Sequence, residues 1–188
     1  MGWTSKDFDP QAVSAALLNG AQSVLSKAAT LPQTQDPKVE ATDIVEYQGR
    51  MRAMGLDKLG TTCYVSVVNI LQNANDRKPK GALVFYLEIE NASKFYKPLE
   101  LPFNEDEDDA SMMNACGLMA QQIAEAFKSE LSSKGYACAL SKARNYKNNV
   151  VEGVEFSQDQ KTKHELSFFY FKHKAIVIEL TLAALPRK

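Results

Sequence analysis

The sequence predicts an α+β fold, an antiparallel sheet with long helices packed on one face. Three observations carry the prediction. Runs rich in β-branched and aromatic residues follow one another through polar connections, as hairpin-joined strands do. Two long amphipathic segments, one near the start and one in the middle, have helical periodicity. The chain has 188 residues and is 45% hydrophobic and 24% charged, enough for one domain with a real core and short appendages. We read residues 1–9 as an N-terminal extension, 10–184 as a single domain and 185–188 as a C-terminal tail.

The elements follow in order. Residues 10–29 form a first helix, with Asp9 as N-cap, Pro10 at the first helical position and an apolar stripe of Val13, Leu17, Ala21, Val24 and Ala28. Residues 30–40, with Pro32 and Pro37 among Gln, Thr and Asp, read as a loop. Strands are expected at 43–54, 61–71 and 81–89, the last two joined by the polar loop 72–80. Residues 90–96 read as a short helix stopped near Pro98, and an acidic segment then leads into the long helix. Met112, Cys116, Met119, Ile123, Phe127 and Leu131 share one side of that helix. Glu105 to Asp109 place negative charge where the helix dipole favours it, and Gly135 suits a C-terminal cap. Gly117 costs ~1 kcal/mol relative to Ala unless close packing requires it. A strand at 136–143 follows, then a polar stretch 144–163 with one short strand near 150–156. Strands at 166–171 and 175–182, turning at Lys172-His173-Lys174, close the chain.

Composition narrows the function. A net charge of −1 gives no electrostatic argument for nucleic acid. No run of 18 apolar residues exists, so no membrane span is expected, and the N-terminus lacks a signal-peptide core. A cytoplasmic location is expected. Cys63, Cys116 and Cys138 have no metal-ligand spacing and read as small buried thiols in a reducing compartment. His164 and His173 lack a supporting cluster, so no metal site is predicted, and no phosphate-binding glycine motif is present.

The exposed face of the long helix is where chemistry could lie. Asn114, Leu118, Gln121, Gln122 and Glu125 share the side opposite the core stripe. Carboxamides and a carboxylate on one face could orient a water or a phosphoryl group. The same residues also fit a binding surface, with Leu118 as an apolar anchor. Simple solvation of the amides is the third reading.

Several motifs in this order resemble the CheX/CheC family of chemotaxis phosphatases, CheX most closely. They are Lys80-Gly81-Ala82-Leu83 entering a strand, then Glu90-Asn91-Ala92-Ser93 entering a short helix. Asp108-Asp109 before Ala115-Cys116-Gly117, Lys134-Gly135-Tyr136 at the helix end, and the closing ELSFFYFKHKAIVIELTL hairpin complete the set. The resemblance spans roughly residues 10–184 and implies a CheX-like/CheC-like fold, often dimeric. It also implies a response-regulator receiver domain as partner, whose own Mg2+ would serve the chemistry, with no cofactor held by this chain. In the family a Glu contacts the receiver lysine, and an Asn three residues later orients the water that attacks a phospho-aspartate. Here Leu118 stands at the Glu position and Gln121 at the Asn position. Gln can orient water, Leu118 cannot act as an acid, and Glu125 would sit ~6 Å further along the axis than position 121. The expected function is therefore a non-catalytic or weakly catalytic receiver-binding module. The alternative is an active phosphatase of a CheY-like regulator with Gln121 orienting water and Glu125 as a substitute acid. The apolar run Leu166 to Phe171 exceeds what a strand with one solvated face needs, in line with a homodimer.

Overall fold

The computed structural model describes residues 9–28, 31, 33–43, 46–47, 50–106, 109–147, 150–154 and 162–185. The expected extension before Asp9, Asp108 of the acidic run, and the polar segments at 148–149 and 155–161 lie outside the described residues. So do 186–188 of the expected tail. Leu185, which opens that tail, is fully buried.

Helix α1 (Pro10–Leu25) starts as predicted, with the Asp9 carboxylate accepting from the Gln11 N–H at 2.9 Å. A 3-10 turn, Ser26–Ala28, extends it. The strands are β1 (Gln33–Asp43), β2 (Glu46–Tyr47), β3 (Arg50–Met54), β4 (Cys63–Leu71), β5 (Gly81–Glu88), β6 (Ala139–Leu140), β7 (Arg144–Lys147), β8 (Val150–Val154), β9 (Thr162–Tyr170) and β10 (His173–Leu182). Between them lie α2 (Gly55–Leu59), α3 (Ala92–Tyr96) and the long α4 (Asp109–Ser133).

The main sheet runs β1-β9-β10-β5-β4-β6, with β7 also pairing β4, and every pairing is antiparallel. A small sheet, β2-β3-β8, stands apart. The main sheet reads as two interlocked halves. α1 leads to β1, β4 and β5, while α4 leads to β6/β7, β9 and β10. The third strand of each half, β5 and β10, pairs at the centre, and the first strand of each half flanks the second strand of the other.

The predicted stripe of α4 is buried to the last residue: Met112, Cys116, Met119, Ile123, Phe127 and Leu131 join α1, α3 and one sheet face in a single core. The other sheet face buries Val65, Val67, Ala82, Val84, Tyr86 and Val177, and α2 packs there. This second face also holds charge. Glu179 is wholly buried, accepts from the Tyr86 hydroxyl and pairs with Lys163, while Lys58 of α2 reaches it at 3.7 Å and Glu165 at 2.7 Å. Burial opposes the Lys58 charge, but the two carboxylates outweigh it and raise its pKa.

Four sequence expectations change. Residues 33–40, within the stretch 30–40 read as a loop, belong to the edge strand β1. Pro37 is tolerated because an edge strand needs no N–H on its outer side, and irregular register lies between Gln33 and Lys38. The expected strand at 136–143 contracts to the two residues of β6, and β7 forms inside the stretch read as loop. Helix α2, inside no predicted element, covers part of the second face. The closing turn is Phe171-Lys172, not Lys172–Lys174: Tyr170 pairs with His173, and Phe171 and Lys172 take φ of 54° and 67°. Positive φ at both central residues defines a type I′ turn, which normally requires Gly or Asn. Here Phe171 is held by edge-on contact with Phe95, at 6.2 Å between centroids, and by the Lys94 ammonium 4.8 Å above its ring. The surplus apolar run in β9 is thereby largely accounted for within the chain: Leu166, Phe168 and Tyr170 enter the helix-side core and Phe171 packs on α3.

Candidate functional site

The predicted face of α4 is open. Asn114, Leu118 and Glu125 are exposed, Leu118 at 43%, and Gln121 and Gln122 are half-buried. Leu118, Gln121, Gln122 and Glu125 line one groove of about 680 Å³, whose far wall is Ser23 and Val24 of α1, Lys27 of the 3-10 turn after it, and Leu101. Asn114 belongs to a different recess, of about 520 Å³, with Asp109, Ala110, Met113 and Asn145. The structure therefore gathers four of the five sequence-predicted residues and separates the fifth.

Gln121 is not a free amide. Its Nε2 donates to the Ser141 carbonyl at 3.2 Å, and its Oε1 accepts from the Ala143 N–H at 3.1 Å. Both partners lie in the connection between β6 and β7. The side chain thus pins that connection to α4, satisfying backbone groups that neither short strand pairs. These two bonds fix the orientation of the carboxamide and use one of its two N–H donors and one of its two oxygen lone pairs. Gln122 behaves differently: its Oε1 is buried without a hydrogen-bond partner among the described residues.

Gly117 is explained one residue before Leu118. A Cβ there would stand 2.3 Å from Asn145 Oδ1 and 2.6 Å from its Nδ2. The helix glycine lets the Asn145 side chain of β7 lie directly on the α4 backbone. Asn145 Oδ1 also accepts from the buried Ser66 hydroxyl at 2.9 Å, and that hydroxyl lies 3.4 Å from Cys116 Sγ. At the start of α4, Asp109 takes a short contact from Lys147 and a 3.3 Å bond from the Tyr64 hydroxyl. The Lys147 hydrogen bond holds the Asp109 carboxyl below its usual pKa. Gly135 ends the helix with φ of +90°, as its predicted capping role requires.

The three cysteines and His164 do not line the groove, where Glu125 is the carboxylate. Burial pushes the Cys116 and Cys63 thiols up to about 12, and burial also raises Cys138. His164 is lowered by burial and shares a 2.8 Å hydrogen bond with Ser14 at the other side of the core. Among the described residues no group of three or more His, Cys, Asp and Glu side chains could hold a metal, and no helix is long and apolar enough to cross a membrane. Sequence reasoning missed Asn145, Ser66 and the Ser141–Ala143 connection. The one available signal was Gly117, an unexplained glycine in the middle of a helix.

No protein-family model matches the chain, and no curated protein matches it. Solved structures do. A CheC-like superfamily protein from Shewanella sp. PV-4 superposes with TM-score 0.64 at 14% identity, covering 94% of this chain and 100% of that one. The chemotaxis protein CheX from Desulfovibrio desulfuricans gives 0.61 at 15% identity, covering 91% and 99%. CheX of Borrelia burgdorferi, in its complex with CheY, BeF3 and Mg2+, gives 0.51 at 14% identity, covering 90% and 97%. The chain has the α+β fold of CheX- and CheC-like chemotaxis proteins.

Proposed function

We infer that this chain is a CheX-like chemotaxis signalling protein that docks a response-regulator receiver domain on the α4 face and hydrolyses its phospho-aspartate weakly or not at all. One observation carries the reading. The Gln121 carboxamide, at the position where the resemblance places the family's water-orienting Asn, is held to Ser141 and Ala143, and exposed Leu118 stands where the acid would be. Phosphoryl transfer from a receiver asks its partner for little beyond a positioned water and a charge contact, so an amide tied to the backbone and a leucine at position 118 weaken what this face could contribute. What remains is a surface: an exposed leucine beside a groove, a usual composition for a binding anchor. The complex of the Borrelia CheX with CheY supports a receiver as the partner here, with Mg2+ belonging to that receiver and no cofactor to this chain. A cytoplasmic location and a homodimer are parts of the same reading. Sedimentation at micromolar concentration tests the dimer, and only a 20.9 kDa species would count against it.

The deciding experiment incubates the protein with phosphorylated receiver domains and follows loss of the phospho-aspartate. Measurable binding without acceleration is expected. Accelerated decay that Gln121→Ala or Glu125→Ala abolishes would instead establish a phosphatase working through those residues.

A further inference from the structure

Strain, charge and a titratable ring meet at the tip of the β9–β10 hairpin, away from the α4 groove. Phe171 and Lys172 hold φ of 54° and 67°, left-handed backbone that neither side chain favours. A circuit of contacts closes around them. Lys94 Nζ donates to Asn91 Oδ1 at 2.9 Å, Asn91 Nδ2 donates to Glu88 Oε1 at 2.5 Å, and Glu88 Oε2 lies 2.6 Å from His173 Nε2. His173 Nδ1 lies 3.1 Å from the Phe171 carbonyl oxygen, and the Lys94 ammonium stands 4.8 Å above the Phe171 ring. A lysine only donates, so it fixes which way the Asn91 amide points. Both ring nitrogens of His173 therefore face acceptors. A neutral imidazole carries one N–H and one lone pair, so it serves one partner and turns its lone pair on the other. Meeting both takes a second proton, held between Nε2 and Oε2. The carboxylate side of that contact is buried, Glu88 being 2% exposed, so water compensates poorly when the contact is lost.

We propose that this circuit is a proton-operated latch: protonation of His173 closes the hairpin tip onto α3, and loss of that proton frees the strained Phe171-Lys172 turn. The charged and titratable groups around the ring are Glu88 of β5, Glu90 just after it, Lys94 of α3, Lys172 in the turn, Lys174 next along β10 and, behind Glu88, the Cys63 thiol of β4. Burial, with Glu88 beside it, pushes that thiol up to about 12, so it stays protonated while the ring titrates. The Glu88 hydrogen bond raises His173 above its ordinary 6.5. The latch is therefore closed below 6.5 and opens as pH rises through the raised value. Closed, it seats Phe171 against Phe95 of α3, at 6.2 Å between ring centroids. The same helix is tied to α4, whose Met112 carbonyl accepts from the Tyr96 hydroxyl at 2.8 Å. Opening lifts Phe171 off this helix and leaves its ring to solvent. The latch operates whether or not a receiver docks.

NMR on the intact chain between about pH 6 and 9 tests the latch. The imidazole shifts follow protonation of His173. Amide protection factors at Tyr170 and His173, the pair that closes the turn, follow the tip once corrected for the intrinsic pH dependence of exchange. Protection there is expected to fall about tenfold as the ring loses its proton, as one charge-assisted hydrogen bond at a half-exposed ring provides. The contact between the Phe171 and Phe95 rings should weaken with the same midpoint, while β4 and β5 amides stay unchanged. Glu88→Gln should abolish the step by keeping the tip closed. Its amide can accept from Asn91 and donate to the lone pair on Nε2, so the neutral ring then bridges both partners and protection persists at high pH. His173→Gln should abolish the step by removing the titrating group. A tip whose protection stays flat while His173 titrates overturns the proposal, and so does a step that survives either substitution.

Discussion

Gln121→Ala separates a structural carboxamide from a catalytic one. The substitution deletes the bond to the Ser141 carbonyl and the bond from the Ala143 N–H, at 3.2 and 3.1 Å. Each is worth ~1 kcal/mol net in a folded protein. Both backbone groups lie in half-buried residues, so water recovers part of the loss, and Ala improves helix propensity by a few tenths. The expected cost is therefore about 1–2 kcal/mol, or a Tm lower by about 3–6 °C for a chain of this size. Gln121→Asn is expected to cost nearly as much, because an amide one methylene shorter cannot reach both partners. Urea denaturation measures the loss, and amide hydrogen exchange at Ala143 should speed up locally. Gln122→Ala is the control: its Oε1 has no partner to lose, so stability should stay within about 0.5 kcal/mol. If Gln121→Ala matched wild type in both stability and Ala143 exchange, the amide would be free in solution. Gln121 would then be available to orient a water.

Gly117→Ala should destabilise by about 1–3 kcal/mol despite better helix propensity, because its Cβ would displace Asn145 from Ser66. Combined with Asn145→Ala the cost should fall well below the sum, and additive effects in a double-mutant cycle would refute the packing explanation. Lys163→Met should cost about 3–5 kcal/mol by urea titration, since it leaves the buried Glu179 carboxylate with the Tyr86 hydroxyl and, among the described residues, Lys58 at 3.7 Å as its one cation. His173 donates to Glu88 at 2.6 Å, a hydrogen bond that raises its pKa above 6.5. The protonated imidazole therefore favours the folded state. Its contribution is full below 6.5 and is lost as pH rises through the raised folded value. His173→Gln should flatten that part of the stability–pH curve, by little because the ring is half exposed. Leu118→Glu should leave the stability measured by urea within about 0.5 kcal/mol, since the side chain is 43% exposed. By itself it should not produce phosphatase activity while Gln121 remains bonded to Ser141 and Ala143.

What could be read in the sequence was what repeats locally. The core stripe of α4, the cap at Asp9, the glycine at the helix end and the pair β4–β5 all follow from periodicity and single-residue preferences. The face of α4 was legible for the same reason: the side of a helix opposite its buried stripe is fixed by residue spacing.

The polar elements were not legible. β1 and β7 look like loops because they lie at the sheet's edges, where solvent removes the hydrophobic alternation that marks a strand. The turn at Phe171 has no turn residue, because contacts from Phe95 and Lys94, distant in sequence, hold its backbone. At the site, the sequence by itself determined which residues share the α4 face and that a leucine stands among its polar residues at position 118. Only the tertiary structure decided what the remaining amide does. Gln121 is bound by a segment some twenty residues away that β4 brings alongside, and no periodicity within the helix encodes that contact.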